Sequence, residues 1–162
     1  MGKVKVKLKK KADDSYEIII GKGISKKLPS LLKKKFGKRK IIIITDRVVE
    51  KLHGKSLLLK LKKAGFDCCI ISFEGGEWQK RLATVERLQE KMLANGIERD
   101  SIAVVLGGGV VGDVGAFTVA TYMRGIDFVQ LPTTLLAMVD SSVGGKTGVD
   151  LSSGKNSSGT FT

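Results

Sequence analysis

Residues 101–113 of the chain read Ser101-Ile-Ala-Val-Val-Leu-Gly-Gly-Gly-Val-Val-Gly-Asp113. An apolar run meets three glycines and is followed by helical spacing, so this stretch predicts a buried strand, a tight turn and a helix. Gly107, Gly109 and Gly112 fit the pattern G-x-G-x-x-G, and Asp127 follows twenty positions after the first of them. Glycines let the backbone approach a pyrophosphate, and a helix N-terminus attracts anions. The same pattern also fits a strand-to-helix turn without a ligand, and the loop alone leaves both interpretations open.

Strand and helix patterns alternate on both sides of this stretch. Strands are predicted over residues 40–44, 66–73, 101–106 and 128–131, and helices over residues 24–36, 48–64, 82–95, 110–123 and 133–139. This alternation is typical of an α/β fold with a Rossmann-like, doubly wound and mostly parallel sheet. Ligands of such sheets bind at the carboxyl ends of the strands, so we expect the loops after Asp46, Phe73, Leu106 and Leu131 to meet.

The two ends of the chain lack this alternation. Residues 3–8 alternate lysine with valine or leucine, and residues 16–20 are β-branched or aromatic for the most part, so we expect an N-terminal strand pair. Over residues 151–162, Ser and Gly dominate without periodicity. We therefore predict one α/β domain over residues 1–150, followed by the flexible start of a link to a missing domain.

Composition is that of a globular protein, with 42% hydrophobic and 28% charged residues. No apolar run is long enough to span a bilayer, and the N-terminus has no apolar signal-peptide core, so we expect a cytoplasmic protein without membrane contact. Cys68 and Cys69 are adjacent in an apolar run and are interpreted as reduced strand residues. With His53 as its one histidine, the chain cannot build a histidine-based metal site by itself.

Positive charge is concentrated in the first part of the chain. Residues 1–63 contain 21 Lys/Arg and 5 Asp/Glu, a net charge of +16, whereas residues 64–162 have a net charge of −3. A basic region can bind nucleic acid through counterion release, but these lysines lack interleaved aromatic residues on which bases would stack. A solvated lysine face is the favoured interpretation, and a basic nucleic-acid-binding module is the alternative.

Further polar residues near predicted strand ends suit a nucleotide or phosphate ligand. Thr133, Thr134 and Asp46 could each bond a ribose or amide group, or cap the helix that follows. Lys146 and Lys155 stand alone in Gly/Ser-rich segments, which favours an anionic ligand over exposed turn lysines.

Seven motifs taken together resemble 3-dehydroquinate synthase. They are Gly75-Gly-Glu-Trp-Gln-Lys80, Leu82-Ala-Thr-Val-Glu86, residues 107–113, Tyr122-Met-Arg-Gly125, Pro132-Thr-Thr-Leu-Leu136, residues 139–147 and Gly154-Lys-Asn156. Their order and spacing match the family across about residues 40–161. The resemblance implies an NAD-binding α/β domain, with the family's C-terminal helical domain and its divalent metal (zinc or cobalt) absent from this chain.

The resemblance also implies a reaction of the shikimate pathway of aromatic amino acid biosynthesis. The family, a group of lyases, converts 3-deoxy-D-arabino-heptulosonate 7-phosphate to 3-dehydroquinate and phosphate. NAD oxidises an alcohol transiently, phosphate is eliminated, the carbonyl is reduced again and the ring recloses. A ketone acidifies the neighbouring C–H, which makes phosphate loss feasible while the cofactor emerges unchanged. Because the metal ligands belong to the missing half, we expect this chain alone to be inactive.

By the same resemblance, two groups of residues are expected to contact ligands. Those expected to bind NAD are Asp46, Gly75, Gly76, Glu77, Lys80, Gly109, Val110, Val111, Gly112, Asp113, Thr133, Thr134, Lys146 and Lys155. Those expected to act on the sugar phosphate are Asp140, Lys146, Lys155, Asn156 and Arg124, the last reaching a neighbouring subunit's substrate. The resemblance implies a homo-oligomer. Whether a separately encoded C-terminal half is a further partner stays an open alternative.

Two alternative hypotheses assign the same fold to a different reaction. Other sugar-phosphate cyclases, and metal-dependent glycerol and alcohol dehydrogenases, resemble this chain in the glycine loop and the Thr pair. Residues 140–147 with Gly154-Lys-Asn156 indicate a sugar-phosphate site and favour the synthase over the dehydrogenases. Loss of a partner domain should leave apolar surface exposed near Leu135, Leu136 and Val139, so we expect self-association.

Overall fold

The computed structural model of the chain describes residues 15–161 and has the predicted α/β architecture. Four parallel strands form one sheet in the order β2-β1-β3-β4, and two further strands form an antiparallel hairpin. The strands are β1 (Ile41–Asp46), β2 (Cys68–Phe73), β3 (Ile102–Gly107), β4 (Asp127–Pro132), β5 (Lys146–Leu151) and β6 (Gly154–Phe161). The helices are α1 (Leu28–Phe36), α2 (Arg47–Val49), α3 (Lys55–Lys63), α4 (Leu82–Ala94), α5 (Gly109–Thr121) and α6 (Leu135–Val139).

Apolar clusters cover both faces of the sheet, as expected for a doubly wound fold. Helices α1 and α3 pack on the face that includes Ile41 and Ile43, and α4 and α5 pack on the face that includes Ile42 and Ile44. All four of these isoleucines are fully buried. A continuous β-branched run therefore forms a strand that is buried on both faces.

The C-terminal residues differ from the prediction. Instead of lacking regular structure, β5 and β6 pair antiparallel, with Thr147 opposite Thr160 and Val149 opposite Ser158. Val149 is fully buried and joins the core cluster that contains α5. Packing on α5 thus holds a Ser/Gly-rich hairpin whose own sequence has little β propensity. The proposed boundary at residue 150 stays a prediction.

Two other expectations need correction. Residues 16–20 form no strand, and the alternating residues 3–8 lie outside the described part of the chain. The helix predicted over residues 48–64 contains a π-helical turn, Glu50–Gly54, between α2 and α3. In residues 15–161, no helix is long and apolar enough to cross a membrane.

Candidate functional site

The candidate site lies where the order of the strands reverses. From β1 the chain moves outward to β2 and then returns to the other side of β1 to form β3. The carboxyl ends of β1 and β3, at Asp46 and Gly107, therefore open onto a topological switch point, which is where doubly wound sheets bind ligands. The predicted convergence of strand-end loops is confirmed for this pair.

The glycine loop presents the uncapped N-terminus of a 13-residue helix, α5. Gly108 is the N-cap, and no side chain within residues 15–161 caps the helix. The amides of the first helical turn have no partner inside the helix, so they are free to bind an anion. A Cβ atom at Gly109 would meet no atom within 4 Å, so the loop has open space above it.

Gly107 and Gly112 are needed for packing. A Cβ atom at Gly107 would lie 2.4 Å from the Val111 side chain, and one at Gly112 would lie 2.7 Å from Ser141 Oγ. Val111 is buried in the core, so it can offer a ligand only its backbone amide. The partly buried Val110 also packs against that core.

Two of the polar residues at the strand ends, Asp46 and Thr134, cap helices. Asp46 accepts hydrogen bonds from the Val48 and Val49 amides at 2.8 and 2.9 Å. Thr134 accepts one from the Ala137 amide at 3.2 Å, and the Thr133 amide donates to the Gly107 carbonyl at 2.9 Å. The Thr pair therefore lies against the glycine loop, as predicted.

Gly75 and Gly76 lie in the turn after β2. A Cβ atom at Gly75 would lie 3.9 Å from the Asp46 carboxyl carbon, so this turn closes on the cap of α2. Gly76 has a φ of 118°, a backbone conformation that favours glycine.

Lys80 connects the glycine loop to the hairpin. Its Nζ donates to Asp113 Oδ2 at 2.8 Å and to Asn156 Oδ1 at 2.7 Å, and lies 3.8 Å from Glu77 Oε1. Only 6% of its side chain is exposed, against 55% for Glu77. The Asp150 amide donates to the Lys80 carbonyl at 2.7 Å, and the Asp150 carboxylate accepts from the Asn156 amide at 2.6 Å.

Electrostatics keep Lys80 charged. Burial by itself lowers the pKa of Lys80, but the hydrogen bond and charge of Asp113, with Glu77 and Asp150, outweigh it and raise that pKa. Burial raises the pKa of Asp113, and the bond from Lys80 opposes this rise. The charges of Asp140, at the end of α6, and of Glu77 also raise the pKa of Asp113.

The two lysines predicted to bind phosphate are exposed. Lys146 begins β5 and Lys155 lies in β6, and neither is ion-paired in the part of the chain that the structure describes. Lys155 also lines an open cleft of about 660 Å³, together with Glu77, Trp78, Arg81, Leu82, Asp150, Leu151, Ser152 and Gly154. The hairpin thus presents two exposed ammonium groups, neither of them ion-paired within residues 15–161.

Ser141, Trp78 and Arg81 have no role predicted from the sequence. The Ser141 hydroxyl is buried beside Gly112 without a hydrogen-bond partner in residues 15–161. Trp78 and Arg81 line the cleft with Lys155. Ser141 lies within a quoted motif, but only the folded chain shows that its hydroxyl faces the glycine loop.

Two residues lie away from this edge. Asp127 begins β4, at the opposite end of the strands, and pairs with Arg39 at 2.6 Å, so it is not the ribose-binding acid of a dinucleotide motif. Arg124 follows the C-terminus of α5, about 20 Å along the helix from the glycine loop at 1.5 Å per residue. Met123 and Arg124 both have positive φ angles, 49° and 67°, in a strained turn.

A family model and curated relatives both match this chain, and both carry the same family name. The family model described as 3-dehydroquinate synthase N-terminal matches residues 70–162. A 3-dehydroquinate synthase from Clostridium kluyveri is 49% identical over 149 residues, and one from Streptococcus thermophilus strain LMD-9 is 46% identical over 159 residues. The matches cover 92% and 98% of this chain but only 42% and 44% of the relatives, so the chain spans less than half of their length.

Solved structures of related enzymes share the fold. A 2-deoxy-scyllo-inosose synthase, complexed with carbaglucose-6-phosphate, NAD⁺ and Co²⁺, is 33% identical with a TM-score of 0.79, over 87% of this chain and 38% of that one. A 2-epi-5-epi-valiolone synthase from Streptomyces hygroscopicus subsp. jinggangensis, with NAD⁺ and Zn²⁺ bound, is 28% identical with a TM-score of 0.82, over 97% and 42%. A probable glycerol dehydrogenase from Sinorhizobium meliloti is 20% identical with a TM-score of 0.59, over 86% of this chain and 34% of that one. At this identity the likeness shows the fold alone.

Proposed function

We propose, because this chain belongs to the 3-dehydroquinate synthase family, that it forms the NAD-binding part of a 3-dehydroquinate synthase. One observation carries the proposal: the N-terminus of α5 is uncapped and has open space over Gly109, at the switch point of the sheet. Backbone amides and a helix dipole at that position fit a pyrophosphate. A Rossmann-like sheet with this loop therefore fits a dinucleotide.

The residues of the chain have separate roles in this proposal. Amides of residues 109–111 bind the pyrophosphate, and the exposed Glu77 and the Thr133–Thr134 pair line the rest of the cofactor site. When bound, NAD accepts a hydride from the substrate alcohol and later returns it. Lys146 and Lys155 hold the phosphate of the sugar, since an ammonium on a flexible stem can follow a phosphate through several poses. Asp140 and Asn156 orient the substrate beside them.

The proposal also covers the substrate, the metal and the contact with a neighbouring subunit. The substrate is 3-deoxy-D-arabino-heptulosonate 7-phosphate, and the protein acts in the cytoplasm, where its free Cys68 and Cys69 stay reduced. Residues 15–161 contain no group of three His, Cys, Asp or Glu side chains that could hold a metal, so we assign no metal step to them. Arg124, remote from the glycine loop, acts on the phosphate bound by a neighbouring subunit.

Titration calorimetry with NAD tests the proposal directly. The folded chain should bind NAD without turning over the sugar phosphate by itself, since the relatives contain more than half of their length beyond the matched region. Circular dichroism confirms that the sample is folded. A folded sample that shows no heat of NAD binding would refute the cofactor role.

A related sugar-phosphate cyclase is the second candidate. It is favoured by the two cyclase structures at 33% and 28% identity, although relatives named 3-dehydroquinate synthase reach 50%. Binding of the heptulosonate phosphate in preference to a hexose phosphate, measured in the presence of NAD, supports the synthase. The reverse preference supports the cyclase.

A further inference from the structure

Lys80, in the short segment before α4, contacts the β5–β6 hairpin through both its backbone and its side chain. Its carbonyl accepts from the Asp150 amide at 2.7 Å, and its ammonium donates to Asn156 Oδ1 at 2.7 Å. Arg81 continues the link as a parallel bridge to Asp150. The main polar attachment of the hairpin is therefore concentrated at one point.

The same ammonium binds the first turns of α5. Asp113 Oδ2 lies 2.8 Å from Lys80 Nζ, and Glu77 Oε1 lies 3.8 Å away. Asp113 and Asn156 use two of the three N–H donors of the ammonium, Glu77 lies at ion-pair distance, and 94% of the side chain is shielded from solvent. One N–H donor remains, on a buried side chain close to a carboxylate, so Lys80 is poorly placed to bind an anionic ligand.

We propose that Lys80 is a positioning residue, which fixes the hairpin that carries Lys146 and Lys155 at a set distance from the glycine loop. Asp113 anchors the ammonium on α5, and Asn156 is the point at which the hairpin is held. Asn156 has a φ of 50°, and its backbone N–H donates a hydrogen bond to Asp150 Oδ1 that supports this conformation. Ligand binding by Lys146 and Lys155 rests on the proposed function, but the attachment of the hairpin through Lys80 does not.

Hydrogen exchange of the ligand-free chain tests this role. In a Lys80→Met variant, the amides of residues 147–149 and 157–160 should exchange at least about tenfold faster, because opening of the hairpin costs less free energy. The amides of β1 and β3 should keep their protection. Lys91→Met is the control, since Lys91 also donates from its ammonium, to the Ser72 carbonyl at 2.9 Å, and within residues 15–161 makes no ion pair or side-chain hydrogen bond to the hairpin.

Two more variants keep the test decisive if Lys80→Met unfolds. Asn156→Gly removes only the acceptor on the hairpin and tolerates the positive φ, so it should also speed hairpin exchange. Lys80→Arg retains a buried cation with several donors and should restore most of the protection. Unchanged hairpin exchange in Asn156→Gly, or no rescue by Lys80→Arg relative to Lys80→Met, would overturn the proposal. Failure of the wild-type chain to bind NAD refutes the proposed function and leaves the exchange result standing.

Discussion

At the scale of single residues, Gly109 and Gly115 lie on the same helix but have different surroundings. A methyl group at residue 109 would enter open space, whereas one at residue 115 would lie 2.8 Å from the Val105 side chain. We therefore expect Gly109→Ala to keep the fold and to weaken NAD binding roughly tenfold, because the methyl group occupies the space of the pyrophosphate. Calorimetry measures the affinity, and thermal unfolding measures the stability.

Gly115→Ala is the control for this prediction. It should lower the free energy of unfolding by about 1–3 kcal/mol through overpacking against β3, while any folded fraction binds NAD normally. Equal NAD affinity in Gly109→Ala and the wild type would show that the loop does not approach the cofactor.

Alkaline pH should destabilise the protein through four groups. Burial raises the pKa of Cys68, Cys69 and Tyr122 above their usual values of 9.0, 9.0 and 10.0. Burial lowers the pKa of Lys80, but its carboxylate partners raise it above 10.5 overall. Each group binds its proton more tightly when folded, so its stabilisation is complete below the usual value and is lost as pH rises through the folded value.

Urea unfolding across this pH range measures the effect. The free energy of unfolding should stay level up to about pH 9 and then decline. Replacing both cysteines by alanine should move the start of the decline upward, towards the usual pKa of Tyr122. A flat profile to pH 11 would contradict the raised values.

At the scale of elements, periodicity predicted those parts whose apolar residues face a sheet. The strands β1 and β3 and the helix α4 lie within two residues of their predicted positions, because isoleucine and valine runs and an amphipathic stripe record burial directly. The sequence of the hairpin has neither an apolar run nor an amphipathic pattern. Only Val149 and its neighbours Thr147 and Gly148 are buried in it, and packing on α5 decides its structure.

The site was predictable to a similar degree. Glycine and threonine motifs located the loop, since their spacing reflects local backbone geometry. The grouping of Lys80, Asp113 and Asn156 was not predictable, because it brings together residues up to 76 positions apart. Asp127 fits the dinucleotide pattern by its spacing from Gly107 but lies at the opposite end of the strands, since counting residues cannot show at which end of a strand a side chain lies.

The turn after α5 stores backbone strain. Met123 has a φ of 49°, which costs about 1 kcal/mol for a residue with a side chain. Met123→Gly should therefore raise the free energy of unfolding by about 0.5–1 kcal/mol, measured by urea unfolding. Met138→Gly, at a comparably exposed position in α6, should lower it by about as much. Destabilisation by Met123→Gly would show that the methionine side chain contributes more than the strain costs.

At the scale of the whole molecule, the lysines of α1 and α3 form a solvated face. Lys33, Lys34 and Lys35 of α1 are exposed, and Phe36 beside them is covered by the Lys35 ammonium at 5.7 Å and the Arg39 guanidinium at 5.6 Å from its ring centre. That ring is therefore not free to stack on a base. We expect no retardation of duplex DNA or RNA in a gel at about 0.15 M salt, and weak retardation only at low salt. A band shift that persists at the higher salt would support the nucleic-acid alternative.

Self-association should depend on the exposed side of α6. Leu135, Leu136 and Val139 are 77%, 68% and 66% exposed, and only Ala137 of this helix is buried, so three large apolar side chains lie together at the surface. Apolar surface of this kind marks an interaction site, and at high concentration a second copy of the chain is the available partner. Sedimentation velocity should show a species that grows with concentration, and replacing Leu135 and Leu136 by glutamine should reduce it without changing the net charge. Leu93→Gln, at an exposed position on α4, is the matched control and should leave the association unchanged. A wild-type chain that stays monomeric at every concentration would show that this face needs no partner.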